Sequence, residues 1–275
     1  MPETVVLLHG FGGTHRTWDG VAERLEAERY LSLALDLPGH GAAAQAERPI
    51  TFARCVEHVL ARAPARFILG GYSLGGRVAL HVALAAPQRV ARLVLIACSA
   101  GIDDDAERAE RRRADAALAA QLEGGRFEEF IGRWGRRPLF ADDPPRVRGL
   151  AEADQRRNRP DALAAVLRGI GAGEMDPLWR RLPELEMPAA AVVGDRDARF
   201  QAVARRLVRL LGDAQLVVVA GERDRRFARL ARRMASALPR GELVIVPGGH
   251  RLALENPAAL ARVLQGVHAE GRPVG

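Results

Sequence analysis

Four short runs of β-branched and apolar residues punctuate the first hundred positions: TVVLLHG (4–10), YLSLALD (30–36), ARFILGGYS (65–73) and ARLVLIACS (91–99). Each is continuous rather than alternating, as strands buried on both faces are. Between them lie stretches with helical spacing, THRTWDGVAERLEAE, FARCVEHVLARA and LGGRVALHVALAAP. Such strand–helix alternation predicts a mostly parallel, doubly wound α/β sheet with helices on both faces.

The rhythm breaks near residue 100. From Gly101 to Leu182 the pattern is helical, with no convincing strand. DDDAERAERRRADAALAAQL opens with acids, which suits a helix N-terminus. The sheet resumes at MPAAAVVG (187–194). We therefore expect a core formed by 1–100 and 183–275, with 101–182 inserted as a helical cap. The C-terminal part repeats itself: GDRDARF (194–200) returns as GERDRRF (221–227), and QLVVVAG (215–221) as ELVIVPG (242–248). The unit is one strand and one helix, so the spacing predicts one extra βα unit by local duplication. Two units are too few for a solenoid. A final helix, NPAALARVLQGVH, has Pro257 placed for its first turn.

Composition narrows the function. The chain of 275 residues has no apolar run of about 20 residues, so no membrane span is expected. ETVVLLHGF at the start lacks the parts of a signal peptide. Cys55 and Cys98 suggest neither a disulfide framework nor a metal site, and a cytoplasmic setting is expected. Net charge is +7, and every basic residue is arginine. No nucleic-acid-binding signature accompanies that charge. Some of the arginines are instead suited to an anionic small molecule, because the guanidinium fork matches carboxylates.

The chemistry centres on GGYSLGG (70–76), a G-x-S-x-G placed between a strand and a helix. That context defines a nucleophile elbow, in which small neighbours allow a tight, strained turn that exposes the hydroxyl of Ser73. His250, in VIVPGGH just past the last strand, is the natural base. An acid after a preceding strand completes the order Ser…Asp…His, and both Asp197 and Asp224 qualify. LLHGFGG (7–13) follows the first strand. Backbone N–H groups of Phe11 and Leu74 are the expected oxyanion hole. His9 and His40 read as structural.

LLHGFGG, DLPGHG (36–41), GYSLGGR (71–77) and PGGH (247–250) together resemble the α/β-hydrolase superfamily over nearly the whole chain. Within it, GYSLGGR, ERAERRRADAALA (107–119), RWGRRPLF (133–140), LRGIGAGEMDPLWRRLPEL (167–185) and GERDRRF are similar to the 2-succinyl-6-hydroxy-2,4-cyclohexadiene-1-carboxylate (SHCHC) synthases of menaquinone biosynthesis. The resemblance implies a cofactor-independent lyase, with no metal, acting on a small tricarboxylate. It also implies substrate contacts from Tyr72, Arg77, Arg111, Trp134 and Arg156. Two departures are expected: the usual N-terminal hairpin strands are missing, and a second GERD-like unit is present. Asp224 sits one βα unit before His250 and Asp197 two, so parallel pairing favours Asp224 as the orienting acid. A serine esterase or C–C hydrolase with the same triad is the competing enzyme. A member of the fold impaired by the duplication is the non-enzymatic alternative.

Overall fold

The computed structural model describes residues 2–192, 203, 206 and 247–265. Strands β1 (Glu3–Leu8), β2 (Tyr30–Leu35), β3 (Phe67–Tyr72), β4 (Val90–Ile96) and β5 (Ala189–Val192) form one parallel sheet, in the order β2-β1-β3-β4-β5. Each overlaps the apolar run that predicts it, with ends up to three residues apart. The duplicated unit and both candidate aspartates lie outside the described residues.

Burial on both faces explains why those runs do not alternate. Val6 and Leu8 of β1, Leu69 of β3 and Leu93 and Leu95 of β4 point into one core. Val5 and Leu7, Ile68, and Val94 and Ile96 point into the other. α2 (Phe52–Leu60) and α3 (Leu74–Ala85) cover the first face. α1 (Asp19–Ala22) and the C-terminal helix Pro257–Gln265 contribute Val21, Leu260 and Leu264 to the second. Each such aliphatic side chain contributes about 1.5–3 kcal/mol on burial.

The helical spacing over 14–28 is only partly realised. The chain makes a 3₁₀ turn at His15–Trp18 and one turn of α1. Trp18 is fully buried there, and Gly20 lies against Pro257, where a Cβ would stand 3.4 Å from the ring.

Four helices join β4 to β5: α4 (Asp105–Glu123), α5 (Phe127–Gly135), α6 (Pro145–Gln155) and α7 (Pro160–Ile170). Their starts follow capping chemistry. Asp104 accepts from the Glu107 N–H at 2.8 Å, and prolines open α6 and α7. Ala119, Leu122, Phe130, Leu163, Ala164 and Leu167 form a small separate core, bordered by Phe11 and Trp134. The order of the sheet reverses between β1 and β3, and the crevice at the carboxyl ends of the strands opens at such a switch point. The loops after β1, β3 and β4 meet there, under the four helices. Among the described residues, no helix is long and apolar enough to cross a membrane.

Candidate active site

The turn from β3 into α3 is forced into an unusual conformation. Ser73 has φ +52° and ψ −108°, a region that L side chains rarely adopt. Its N–H donates to the Ile96 carbonyl of β4 at 2.8 Å, which anchors the turn to the neighbouring strand. The flanking glycines are required by close approach: a Cβ on Gly71 would strike the Gly75 carbonyl, and one on Gly75 the Leu8 carbonyl. Gly-x-Ser-x-Gly is thus the local sequence that allows this backbone.

Leu74 is the first residue of α3, so its N–H has no intrahelical acceptor. The Phe11 N–H comes from the loop after β1, which turns back through Gly13 N–H to Gly10 O at 3.0 Å. Two buried histidines brace that loop. His9 Nε2 accepts from the Leu37 N–H at 3.0 Å, so its Nδ1–H donates to Gly10 O at 2.8 Å. His40 Nε2 accepts from the Gly12 N–H at 3.2 Å. Burial pushes both imidazoles below their usual pKa, which keeps them neutral and able to accept. The cap grips the same loop. Asp154 accepts from the Thr14 N–H and the Thr17 hydroxyl, each at 2.9 Å, and from the Thr14 hydroxyl. Asn158 donates to Gly12 O and accepts from the Gly41 N–H, each at 2.9 Å.

Ser73 and His250 both line one cavity of about 500 Å³ beneath the cap. His250 is buried, with its ring centroid 5.4 Å from Tyr72 and 5.7 Å from Phe140. Its loop is tied down by the Gly249 N–H to Glu255 at 2.6 Å and by Asn256 to Pro247 O at 3.1 Å. Beside it, a buried ion pair joins Arg251 to Asp143 of the cap at 2.6 Å.

The cavity wall is strongly basic: Arg77, Arg111 and Arg137 face it, with Asp115 as the one carboxylate among its lining residues. Arg77 donates to Ile170 O at 3.2 Å. Burial lowers its pKa to about 10, and the Arg111 charge acts in the same direction. Arg111 donates from Nε to Asp115 at 2.9 Å. Cys98 also lines the cavity, but burial pushes its thiol up to about 12, so it is not a thiolate nucleophile at neutral pH. Among the described residues, no cluster of His, Cys, Asp or Glu is arranged to hold a metal ion.

The structure therefore brings Phe11, Tyr72, Ser73, Leu74, Arg77, Arg111, Trp134 and His250 to one cavity. Arg156 is not among them. Its guanidinium lies at the surface, 3.0 Å from Glu128. The preceding residue explains why: Gln155 is buried in the wall beside Gly12. The next side chain along a helix lies about 100° further round, so Arg156 faces outward. Asp197 and Asp224 lie outside the described residues. Asp154 and Asn158 carry no signal in the sequence, because their partners are more than 110 positions away, and Arg137 and Asp115 are single charges in charge-rich segments until the fold lines the cavity with them.

An elbow serine at +φ, a loop of backbone donors beside it and a cap over both define the class. The chain belongs to the alpha/beta hydrolase family, whose model matches residues 5–263. Within that class it is similar to the 2-succinyl-6-hydroxy-2,4-cyclohexadiene-1-carboxylate synthase of Salmonella paratyphi C (strain RKS4594). The two are 32% identical over 209 residues, which cover 74% of this chain and 81% of that protein. Among solved structures it is similar to MenH from S. aureus, with a TM-score of 0.80 and 26% identity over 96% of this chain and 92% of that one. The enol-lactonase from Burkholderia xenovorans LB400 shares the fold at a TM-score of 0.73 and 17% identity, covering 97% of this chain and 91% of that one.

Proposed function

We propose that the chain is a carbon–oxygen lyase that eliminates pyruvate from 2-succinyl-5-enolpyruvyl-6-hydroxy-3-cyclohexene-1-carboxylate, yielding SHCHC in menaquinone biosynthesis. The observation that carries this reading is the arginine-lined cavity at Ser73. A neutral ester gives no reason to bury a guanidinium, whereas a substrate with three carboxylates does. The similarity to proteins bearing the SHCHC synthase name supports the same reading.

In this mechanism His250 accepts the Ser73 proton, and the serine oxygen removes a proton from the ring. The C2–H electron pair forms the C2=C3 double bond, the existing C3=C4 pair shifts to C4=C5, and the C5–O bond to the enolpyruvyl group breaks. The proton returns through His250 as the departing enolate becomes pyruvate. The N–H groups of Phe11 and Leu74 stabilise the negative charge that develops. Asp224, in preference to Asp197, holds the imidazole tautomer. Arg77 and Arg111 bind carboxylates, and Tyr72 and Trp134 shape the pocket. The reaction uses no cofactor and runs in the cytoplasm, with no nucleic acid or membrane partner.

The test compares kcat/KM for this substrate with that for a neutral aryl ester, with mass spectrometry of the protein during turnover. We expect preference for the tricarboxylate and no acyl adduct on Ser73. Rapid ester turnover through an adduct, without action on the tricarboxylate, would establish a serine hydrolase instead.

A further inference from the structure

Arg137 is the third guanidinium of the cavity, and its surroundings differ from those of the other two. Arg77 is held by a helix-end carbonyl and Arg111 by Asp115. Arg137 has no carboxylate or carbonyl partner for its side chain among the described residues. Its guanidinium carbon stands 4.4 Å from the centroid of the Trp134 ring, a cation–π contact.

Two features fix that placement. Pro138 follows, and Arg137 takes φ −61° and ψ 148°, the extended conformation favoured before proline. Trp134 is in turn packed against Phe11, with centroids 5.0 Å apart, and against Phe130 at 5.6 Å. The ring that carries the guanidinium is thus wedged between the oxyanion loop and the cap core. Stacking on a ring face leaves the five N–H donors of a guanidinium at its edge, available in the plane where a carboxylate binds. Burial and the nearby Arg111 charge both hold Arg137 below the ordinary arginine pKa, with Asp115 acting the other way. The cation is therefore partly desolvated and crowded by like charge, which an incoming anion relieves.

We infer that Arg137 is a specificity-determining residue of this site, its guanidinium meeting a carboxylate of a polyanionic substrate from the face of Trp134. The inference rests on the reading that the cavity takes a polyanion, and it names the contact that Arg156, paired with Glu128 at the surface, does not supply.

The test uses tricarballylate, a plain tricarboxylate, as the probe. Binding is measured by calorimetry at low salt on the full chain, for the wild type, Arg137→Gln, Arg137→Lys and Arg136→Gln. Arg136 is an exposed neighbour outside the cavity wall and serves as the charge-matched control. We expect Arg137→Gln to weaken binding about ten- to hundred-fold, the scale of one hydrogen bond to a charged group. Arg137→Lys should recover only part of this, because an ammonium lacks the bidentate edge. Arg136→Gln should bind as the wild type does.

Equal loss in Arg136→Gln, wild-type binding by Arg137→Gln, or no binding of the probe by the wild type would each overturn the inference. Turnover is scored separately. With the enolpyruvyl substrate, Arg137→Gln should raise KM and leave kcat nearly unchanged, as loss of uniform binding does. A wild type that binds tricarballylate through Arg137 but releases no pyruvate would refute the proposed reaction and leave the anion contact standing.

Discussion

Ser73 carries both the proposed chemistry and a local cost. Its φ of +52° stores strain of about 1–3 kcal/mol. Ser73→Gly should therefore raise the melting temperature by roughly 2–4 °C while abolishing turnover, since glycine adopts this backbone freely. A variant that melts lower would show that the side chain stabilises the turn. Ser73→Ala should keep the fold and lose about 10³-fold or more in turnover. Gly75→Ala should do the opposite kind of damage, because its Cβ would meet the Leu8 carbonyl and drive β1 from the elbow. We expect a loss of about 3 kcal/mol or more in a denaturant titration, from overpacking against backbone. These positions are legible in the sequence because the elbow is local: five consecutive residues specify it. Arg137 is illegible for the converse reason. In RWGRRPLF it is one arginine among several, and its place in the cavity wall appears only in the assembled fold. Arg156 shows the same limit in reverse, because a shift of one helical position turns it outward.

At the scale of elements, the sheet is readable because burial on both faces leaves no room for polar alternation. The strands β1 to β5 follow from that alone. The cap's attachment does not follow from it. Asp154, near the end of α6, receives three hydrogen bonds from Thr14 and Thr17, in the loop that carries Phe11. A lone aspartate in AEADQRRN gives no hint of partners 137 and 140 positions away. Asp154→Ala should lower stability by about 1.5–3 kcal/mol, because it unpairs donors held by a buried charge. It should also reduce kcat more than it raises KM, because the Phe11 N–H is then less firmly aimed at the developing charge. Thermal melts and steady-state kinetics check this together. A KM effect alone would mean that the tie positions substrate, not the oxyanion loop.

Over the whole molecule, the buried histidines set a pH dependence. His9 and His40 are held neutral by burial, and His58 and His81 are shifted in the same direction. In each, the folded pKa lies below the ordinary imidazole value of about 6.5, so below that pH the unfolded chain binds more protons than the folded one. Stability should be held above about pH 6.5 and should fall as the pH drops toward the folded values. His40→Gln should flatten that fall in a pH series of melting curves. An unchanged slope would mean that other groups dominate. Among the described residues, arginines such as Arg168 and Arg181 sit in exposed ion pairs, and the three gathered at the cavity are the ones that speak to the proposed function. That claim has a direct test: incubate the full chain with 2-succinyl-5-enolpyruvyl-6-hydroxy-3-cyclohexene-1-carboxylate and follow diene absorbance and free pyruvate together. One pyruvate should appear for each diene formed, and neither above background with Ser73→Ala. Folded wild-type protein that releases neither would contradict the account.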